Sequence, residues 1–254
     1  VTGPTGSGKT SAVARLVQSF ASDGWNSANI VVVDPHGEYA AALGGISATR
    51  SVLASGTDML RVPFWAMPPR ELLHVLCGTG SKTIDDKFEE LVVAERKLFA
   101  KSASWLDQDE ASITAESPIP YDLRRVWHAL DYANRATVTQ KTGGTVCEMS
   151  PGDPATLTPA EFTPYQPGGA TPHQGPTYRH YSPAAERLRL RLANPEYTFL
   201  LEIPDPSRPD PLVDMIQEWL GNRSPASILD FSGVPFDIAD VAIGVVLGLL
   251  FEVA

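Results

Sequence analysis

The stretch Gly3-Pro-Thr-Gly-Ser-Gly-Lys-Thr10 decides the fold, because it matches the phosphate-binding pattern G-x-x-x-x-G-K-[ST]. Its glycines let successive backbone N–H groups point at a phosphate, and a helix that begins there adds the positive end of its dipole. Residues 8–20 supply that helix, since their apolar side chains recur at i, i+3, i+4 and i+7. The stretch therefore predicts a P-loop that binds a nucleotide.

Two side chains of the P-loop have distinct tasks. Lys9 would neutralise oxygens of the β- and γ-phosphates, and the hydroxyl of Thr10 would bind Mg²⁺. The residues expected around the nucleotide are Gly3, Thr5, Gly6, Ser7, Gly8, Lys9, Thr10 and Ser11. Nucleotide binding follows from this motif, whereas hydrolysis requires further groups.

Those further groups are acids that hold Mg²⁺ or position the attacking water. Two predicted strands, 30–34 and 227–230, end in aspartate, and the strand ends of an open parallel sheet face the ligand crevice. Glu38 adds a carboxylate four residues after the first aspartate, and His36 lies between them, where it could contact the γ-phosphate or water. The aspartates also begin turn-like D-P-H-G and D-F-S-G sequences, so a turn-forming role is the alternative. The catalytic candidates are Asp34, His36, Glu38 and Asp230.

Short apolar strands alternate with helices along the chain, which is typical of a doubly wound parallel sheet. We assign residues 1–65 to the P-loop and first strands of an α/β core. Residues 196–254 are assigned to the segment in which the chain comes back to that core. Residues 66–195 are predicted to form a mostly helical insertion that includes a Pro/Gly-rich surface loop over 137–182. The predicted fold is thus α/β, with a mostly parallel sheet, a helical insertion and one long loop.

Periodicity places the remaining elements. Helices are predicted over 69–76, 85–100, 120–135, 184–193 and 212–220, and further extended segments over 60–63 and 197–203. The alternation of Leu188, Leu190 and Leu192 also fits a strand. In the apolar tail 238–254, the uncharged run is shorter than the ~20 residues that a bilayer span needs. We therefore predict a buried core helix there, and no membrane contact.

The composition is that of a globular chain and excludes collagen-like, coiled-coil and wholly disordered classes. The 254 residues carry 20 basic and 30 acidic side chains, a formal charge of −10, so a DNA contact would need a local basic patch. The two cysteines, Cys77 and Cys147, are too few for a disulfide framework or a four-ligand zinc site. This cysteine usage predicts a cytoplasmic protein.

The densest basic cluster consists of Arg179, Arg187, Arg189 and Arg191. It could provide an arginine finger, a DNA contact or one face of an amphipathic helix, and the helix face is the simplest interpretation.

Three motifs in the same order resemble the HerA group of helicases and translocases, within the HerA–FtsK clade of P-loop ATPases. They are the P-loop, the stretch Val31-Val-Val-Asp-Pro-His-Gly-Glu-Tyr39, and the stretch Ile228-Leu-Asp-Phe-Ser-Gly-Val-Pro235 followed by an apolar helix. The resemblance covers nearly the whole chain. The P-loop alone is shared with secretion ATPases, kinases and tRNA-modifying transferases.

The resemblance implies a RecA-like core that uses ATP and Mg²⁺, assembled as a homo-hexameric ring that drives double-stranded DNA through its channel beside a NurA-type nuclease. By the same resemblance, nucleotide and Mg²⁺ would be held by Gly3, Gly8, Lys9 and Thr10, and the rim of the site would be lined by Asp34, His36 and Glu38. Two alternatives stay open. One is a conjugative or type IV secretion ATPase, and the other is a nucleotide-gated assembly module without sustained turnover.

The chain departs from the family pattern at both ends. The strand that ends in a catalytic glutamate, expected after the third motif, is missing, and so is the β-barrel expected before the P-loop. Both departures suggest a fragment of a longer protein, which we expect to bind nucleotide weakly and hydrolyse it slowly. The catalytic glutamate and the arginine finger are therefore left unassigned.

Overall fold

The computed structural model describes residues 8–22, 30–78, 80–169, 171–220 and 224–253. The chain divides into two compact units: the sheet unit, residues 1–63 with 210–254, and the helical unit, residues 64–209. The α-helices of the described residues are α1 Lys9–Ser22, α2 Ala40–Leu43, α3 Pro69–Cys77, α4 Lys82–Ser102, α5 Leu123–Arg135, α6 Ser182–Ala193, α7 Pro211–Trp219 and α8 Phe236–Val253. The strands are β1 Ile30–Asp34, β2 Ser47–Ser51, β3 Thr137–Val138, β4 Glu148–Ser150, β5 Glu161–Phe162, β6 His173–Gln174 and β7 Ala226–Asp230.

A parallel three-stranded sheet in the order β1-β7-β2 forms the centre of the sheet unit. β7 lies between the other two strands, and its Ile228 is fully buried. The adjoining core cluster contains Ala14, Val17, Leu43, Ala226 and Ile228. Helices α1 and α2 thus cover apolar strand residues, which removes that surface from water. The predicted α/β fold with a parallel sheet is confirmed.

Strand β2 was not predicted from the sequence. Its residues, Ser-Ala-Thr-Arg-Ser, lack the run of branched apolar side chains that marks β1, and all five are only half-buried at the sheet edge. The extended segment predicted over 60–63 is not a regular strand. The N–H of Leu60 donates to the carbonyl of Ser51 at 2.9 Å, and a single bridge joins Ser51 to Met59.

The helical unit is built from α3, α4, α5 and α6, which pack on one another in adjacent pairs. Its core contains large side chains with at most 1 % exposure, among them Phe64, Trp65, Phe88, Tyr121, Trp127 and Leu188. The helices predicted over 69–76, 85–100, 120–135 and 184–193 are all present, with ends that differ by a few residues. Residues 188–192 lie in α6, so the alternative of a strand there is wrong.

The strand predicted over 197–203 is also wrong, because the chain forms a 3-10 helix at Pro195–Leu200. The side chain of Asn194 starts this helix by accepting a hydrogen bond from the N–H of Glu196 at 3.1 Å. The alternation that suggested a strand is real, since Tyr197, Phe199 and Leu201 are all buried. The segment packs against α6, so the helical unit extends to residue 209, beyond the boundary we placed at residue 195.

The Pro/Gly-rich segment 137–182 is not the irregular loop that its composition predicted. Two small antiparallel sheets, β3-β6 and β4-β5, give it regular structure. Further bonds tie the strands together: the hydroxyl of Thr137 donates to the carbonyl of Thr163 at 2.8 Å, and the N–H of Thr163 donates to the carbonyl of Cys147 at 2.9 Å. Strands of two or three residues are too short to show a period of two, which is why the sequence pattern missed them.

Helix α8 buries one face and leaves another exposed. Ile238, Ala242 and Val246 are buried, whereas Phe236 is 95 % exposed and Phe251 is 87 % exposed. The prediction of a buried core helix therefore holds for one face only. Within the described residues, no helix combines the length and the hydrophobicity that crossing a membrane requires.

Candidate functional site

Two turns meet at the carboxyl edge of the sheet, one after β1 and one after β7. The two strands are in register, so Asp34 pairs with Asp230. The N–H of Phe231 extends the ladder by donating to the carbonyl of Asp34 at 2.9 Å. Both aspartates therefore lie at the edge where open α/β sheets bind their ligands.

Asp34 organises the turn that follows β1. The residue is buried, with 1 % of its surface exposed. Its Oδ1 accepts a hydrogen bond from the N–H of His36 at 3.2 Å, and its Oδ2 accepts one from the N–H of Tyr39 at 2.9 Å. Because both oxygens are occupied by backbone donors, the turn-forming interpretation describes the contacts of Asp34. A catalytic role for Asp34 stays a prediction.

Glu38 contacts Thr10, the last residue of the P-loop motif. At the start of α1, the hydroxyl of Thr10 donates to Oε2 of Glu38 at 2.6 Å, across 28 residues of sequence. The amide of Gln18 donates to the carbonyl of Ala42 at 2.9 Å, which links α1 to the helix that follows the turn. The first and second sequence motifs are thus joined in one site.

The Thr10–Glu38 pair fits the requirements of a magnesium site. Hydroxyl and carboxylate oxygens are hard ligands of the kind that Mg²⁺ prefers, and the ion usually completes its shell with water and substrate phosphates. Thr10 and Glu38 are the residues that would hold the ion, through a hydroxyl and a carboxylate oxygen. Asp34 is less suited, since its oxygens already accept backbone N–H groups. Over the described ranges, no group of three or more His, Cys, Asp or Glu side chains is placed to hold a metal.

The described end of the P-loop leads directly into α1. Gly8 has a φ of +80°, a backbone conformation that favours glycine, and its carbonyl accepts the N–H of Ala12 at 2.9 Å as the helix begins. Lys9 is half-buried, and Ser11 is exposed. Four predicted nucleotide-binding residues lie outside the described residues: Gly3, Thr5, Gly6 and Ser7.

The turn after β1 packs closely against the turn after β7. Gly37 has a φ of +71°, and a Cβ atom there would lie 3.1 Å from Oγ of Ser232 and 3.6 Å from Oδ1 of Asp230. That same Oδ1 accepts the N–H of Ser232 at 2.9 Å, so Asp230 also shapes its own turn. His36, between Asp34 and Glu38 in sequence, is exposed.

Residues Gly37 and Ser232 were not among the predicted site residues. Each was visible in the sequence only as part of a turn-like motif. Their importance follows from the register of β1 and β7, which brings the two motifs side by side.

The arginine cluster belongs to the helical unit. Arg187 donates to the carbonyl of Cys77 at 2.6 Å, and Arg189 donates to the carbonyl of Leu157 at 3.1 Å. Arg191 stacks over the ring of Tyr197 at 4.9 Å. These contacts attach α6 to its surroundings and fit the simplest interpretation, a helix face. Roles as an arginine finger or a DNA contact stay predictions.

Comparison with known proteins places these features in one family. No curated protein gives a significant match to the chain. A family model described as "Helicase HerA, central domain" matches residues 1–250. That match spans the P-loop, the turn after β1 and the turn after β7, in that order along the chain. The chain therefore belongs to the HerA helicase central-domain family, with the RecA-like P-loop ATPase fold of its members.

Proposed function

We propose that this domain is the ATP-driven motor of a double-stranded DNA translocase or helicase. Membership of the HerA family supports an ATPase module. The observation that carries the proposal is the 2.6 Å contact between Thr10 and Glu38, because it unites the phosphate-binding motif with an acid from the second family motif. Such a pair is what a Mg²⁺-dependent hydrolase needs beside its phosphate loop.

Each residue of the site has a proposed task. Lys9 binds the β- and γ-phosphate oxygens of ATP, and Thr10 holds Mg²⁺. Glu38 holds the same ion or orients water, and Asp34 keeps Glu38 in place through the turn that it braces. Bound Mg²⁺ would neutralise charge on the phosphates during transfer.

The test of the proposal is ATP hydrolysis by the purified protein with and without duplex DNA. We expect duplex DNA to stimulate hydrolysis, and Lys9→Ala to abolish it. Lys101→Ala is the matched control, because Lys101 pairs with Glu110 at 3.3 Å on an exposed surface of the helical unit. If duplex DNA gives no stimulation and Lys9→Ala leaves hydrolysis intact, the motor proposal is wrong.

The same assay separates the alternatives. Stimulation by single-stranded DNA or by protein alone would favour a conjugative or type IV secretion ATPase. Nucleotide-dependent assembly without turnover would favour a gated assembly module. Sedimentation with and without ATP would measure assembly directly.

The proposed assembly is a cytoplasmic homo-hexamer that surrounds duplex DNA and works with a NurA-type nuclease. The resemblance of the three sequence motifs to HerA proteins is what suggests these partners. Light scattering of the protein with ATP and duplex DNA should give a mass of six protomers. A monomer under all conditions would contradict the ring.

A further inference from the structure

A cleft of about 450 Å³ opens within the helical unit. Its walls come from α5, from residues 159–165 and from residues 178–189. The volume lies in the range of small-molecule sites, roughly 300–1,000 Å³. Neither the family motifs nor the proposed motor function uses this cleft.

The cleft has an excess of positive charge. Arg135, Arg179 and Arg189 line it together with two acids, Asp131 and Glu186, which leaves one net positive charge. Arg135 faces Asp131 at 3.5 Å, a long contact. Arg189 donates to a carbonyl, which does not neutralise its charge.

Arg179 is the most available of the three arginines. Its guanidinium lies over the ring of Tyr178 at 5.5 Å. Across the described part of the chain, no carboxylate lies within ion-pair distance of Arg179 or Arg189. Both groups therefore keep N–H donors and charge for an anion, and guanidinium groups suit phosphate best through paired hydrogen bonds.

Two tyrosines offer an aromatic surface in the same cleft. The rings of Tyr165 and Tyr178 lie 6.3 Å apart at an angle of 49°. Both side chains line the cleft, and Tyr165 is 37 % exposed. A flat ring could stack here, with the cation of Arg179 beside it.

The arginine side of the cleft is held rigidly without a ligand. The N–H of Arg179 donates to the carbonyl of Asn134 at 2.8 Å, and the N–H of Tyr181 donates to Oδ1 of Asn134 at 2.8 Å. The hydroxyl of Thr177 donates to the carbonyl of Ala133 at 2.7 Å. The bonds from Arg179 and Thr177 satisfy backbone carbonyls at the end of α5, a position where carbonyls lack partners within the helix.

Backbone strain occurs at one residue of the cleft and at one residue that contacts its wall. Arg179 has a φ of +63°, and Leu157, whose carbonyl binds Arg189, has a φ of +55°. Left-handed conformations in residues other than glycine are costly and cluster at binding and catalytic sites. A preformed, strained and cationic cleft with an aromatic wall is poorly explained as packing alone.

We propose that this cleft binds a mononucleotide, with its base against Tyr165 and Tyr178 and its phosphate at the arginines. The site is separate from the P-loop and goes beyond the proposed motor function. A mononucleotide joins a planar ring, which can stack on the tyrosines, to a phosphate, which the arginines can bind. A nucleoside monophosphate is small enough for the cleft.

The test uses calorimetric titration of adenosine monophosphate into the chain carrying Lys9→Ala, which removes the P-loop lysine. We expect saturable binding, and binding at least tenfold weaker for adenosine and for ribose 5-phosphate, since each lacks one half of the contacts. Arg179→Asn should weaken binding of the monophosphate at least tenfold, because a charged hydrogen-bond donor is lost. Asparagine is chosen because it tolerates a positive φ.

The matched control is Arg208→Asn, which removes the same charge from an exposed arginine of the helical unit outside the cleft. Binding should be unchanged in this variant. If Arg179→Asn does not fold, Tyr165→Leu tests the other wall: it should weaken the monophosphate several-fold and leave ribose 5-phosphate unchanged. Absence of binding in the Lys9→Ala chain, or equal weakening by the Arg179 and Arg208 variants, would overturn the proposal.

Discussion

The sheet unit and the helical unit each bury an ionisable side chain, Asp34 in the first and Arg96 in the second. In the sheet unit, Asp34 is 1 % exposed and accepts two backbone N–H groups. In the helical unit, Arg96 is 1 % exposed and donates to the carbonyls of Trp65, Thr114 and Ala115. Among the described residues, neither side chain forms an ion pair.

The difference lies in what surrounds each charge. Asp34 stands at the sheet edge, and its bonds shape a turn that carries Glu38 to Thr10. Arg96 stands inside a core, stacked over the ring of Tyr121 at 5.2 Å, and burial lowers the pKa of its guanidinium. Loss of Arg96 should therefore damage stability alone, whereas loss of Asp34 should damage the site as well. Arg96 therefore supports folding, whereas Asp34 supports both folding and the site.

The largest effect is expected from Arg96→Met. The variant removes a charged donor from the carbonyl of buried Trp65 and from the carbonyls of Thr114 and Ala115, so we expect a loss of about 3–5 kcal/mol in the free energy of unfolding. Urea denaturation measures it. The matched control is Lys101→Met, because Lys101 is exposed and pairs with the exposed Glu110 at 3.3 Å, an arrangement worth less than about 1 kcal/mol. Equal losses of unfolding free energy in the two variants would mean that Arg96 stabilises the fold no more than an exposed basic residue does.

A smaller loss is expected from Asp34→Asn. Asparagine keeps one acceptor oxygen but turns its NH₂ group toward the second backbone N–H. Because that N–H loses its acceptor, the free energy of unfolding should fall by about 1–3 kcal/mol. ATP affinity should fall as well, because the turn that holds Glu38 loses a bond. Asp210→Asn is the matched control, since Asp210 accepts one backbone N–H, that of Leu212, at 2.9 Å outside the turns of the site, and asparagine can replace it. Denaturation and ATP titration of both variants check this pair. A harmless Asp34→Asn would show that the turn does not depend on the carboxylate.

The smallest effect is expected at Asp131 in the helical unit, where the free energy of unfolding should depend on pH. Burial raises the pKa of this carboxyl above its ordinary value, while Arg135 offsets part of the shift. The folded state therefore binds the proton more tightly than the unfolded chain. The stability that this provides is complete in acid, below the unfolded pKa of about 3.9, and is lost as the pH rises through the folded pKa.

The Asp131→Asn variant should remove that dependence. Relative to the unsubstituted chain, its free energy of unfolding should rise as the pH increases from about 3.9 through the folded pKa, and then level off at neutral pH. Thermal melts between pH 3 and 7 would measure the difference. A constant difference across this range would mean that Asp131 titrates in the same way in both states.

The sequence alone was sufficient for the parts with strong local signals. The helix predicted after the P-loop pattern, the β-branched run before Asp34 and the helical periodicity after residue 69 each correspond to a described element. The failures were segments whose local pattern is weak. β2 has no apolar run, and the strands within 137–182 are two or three residues long. The segment 197–203 has the right alternation, yet the cap provided by Asn194 and the proline that follows it favour a 3-10 helix.

The sequence by itself determined the chemistry of the site: a lysine and a threonine at a phosphate loop, and acids at the ends of strands. Only the tertiary structure decided which acid meets the threonine. The parallel register sets Asp34 beside Asp230, and backbone N–H groups occupy both oxygens of Asp34, so Glu38 is the acid that contacts Thr10. The physical reason is that a motif specifies side-chain types along the chain, whereas the contact between residues 28 positions apart depends on how helices pack on a sheet.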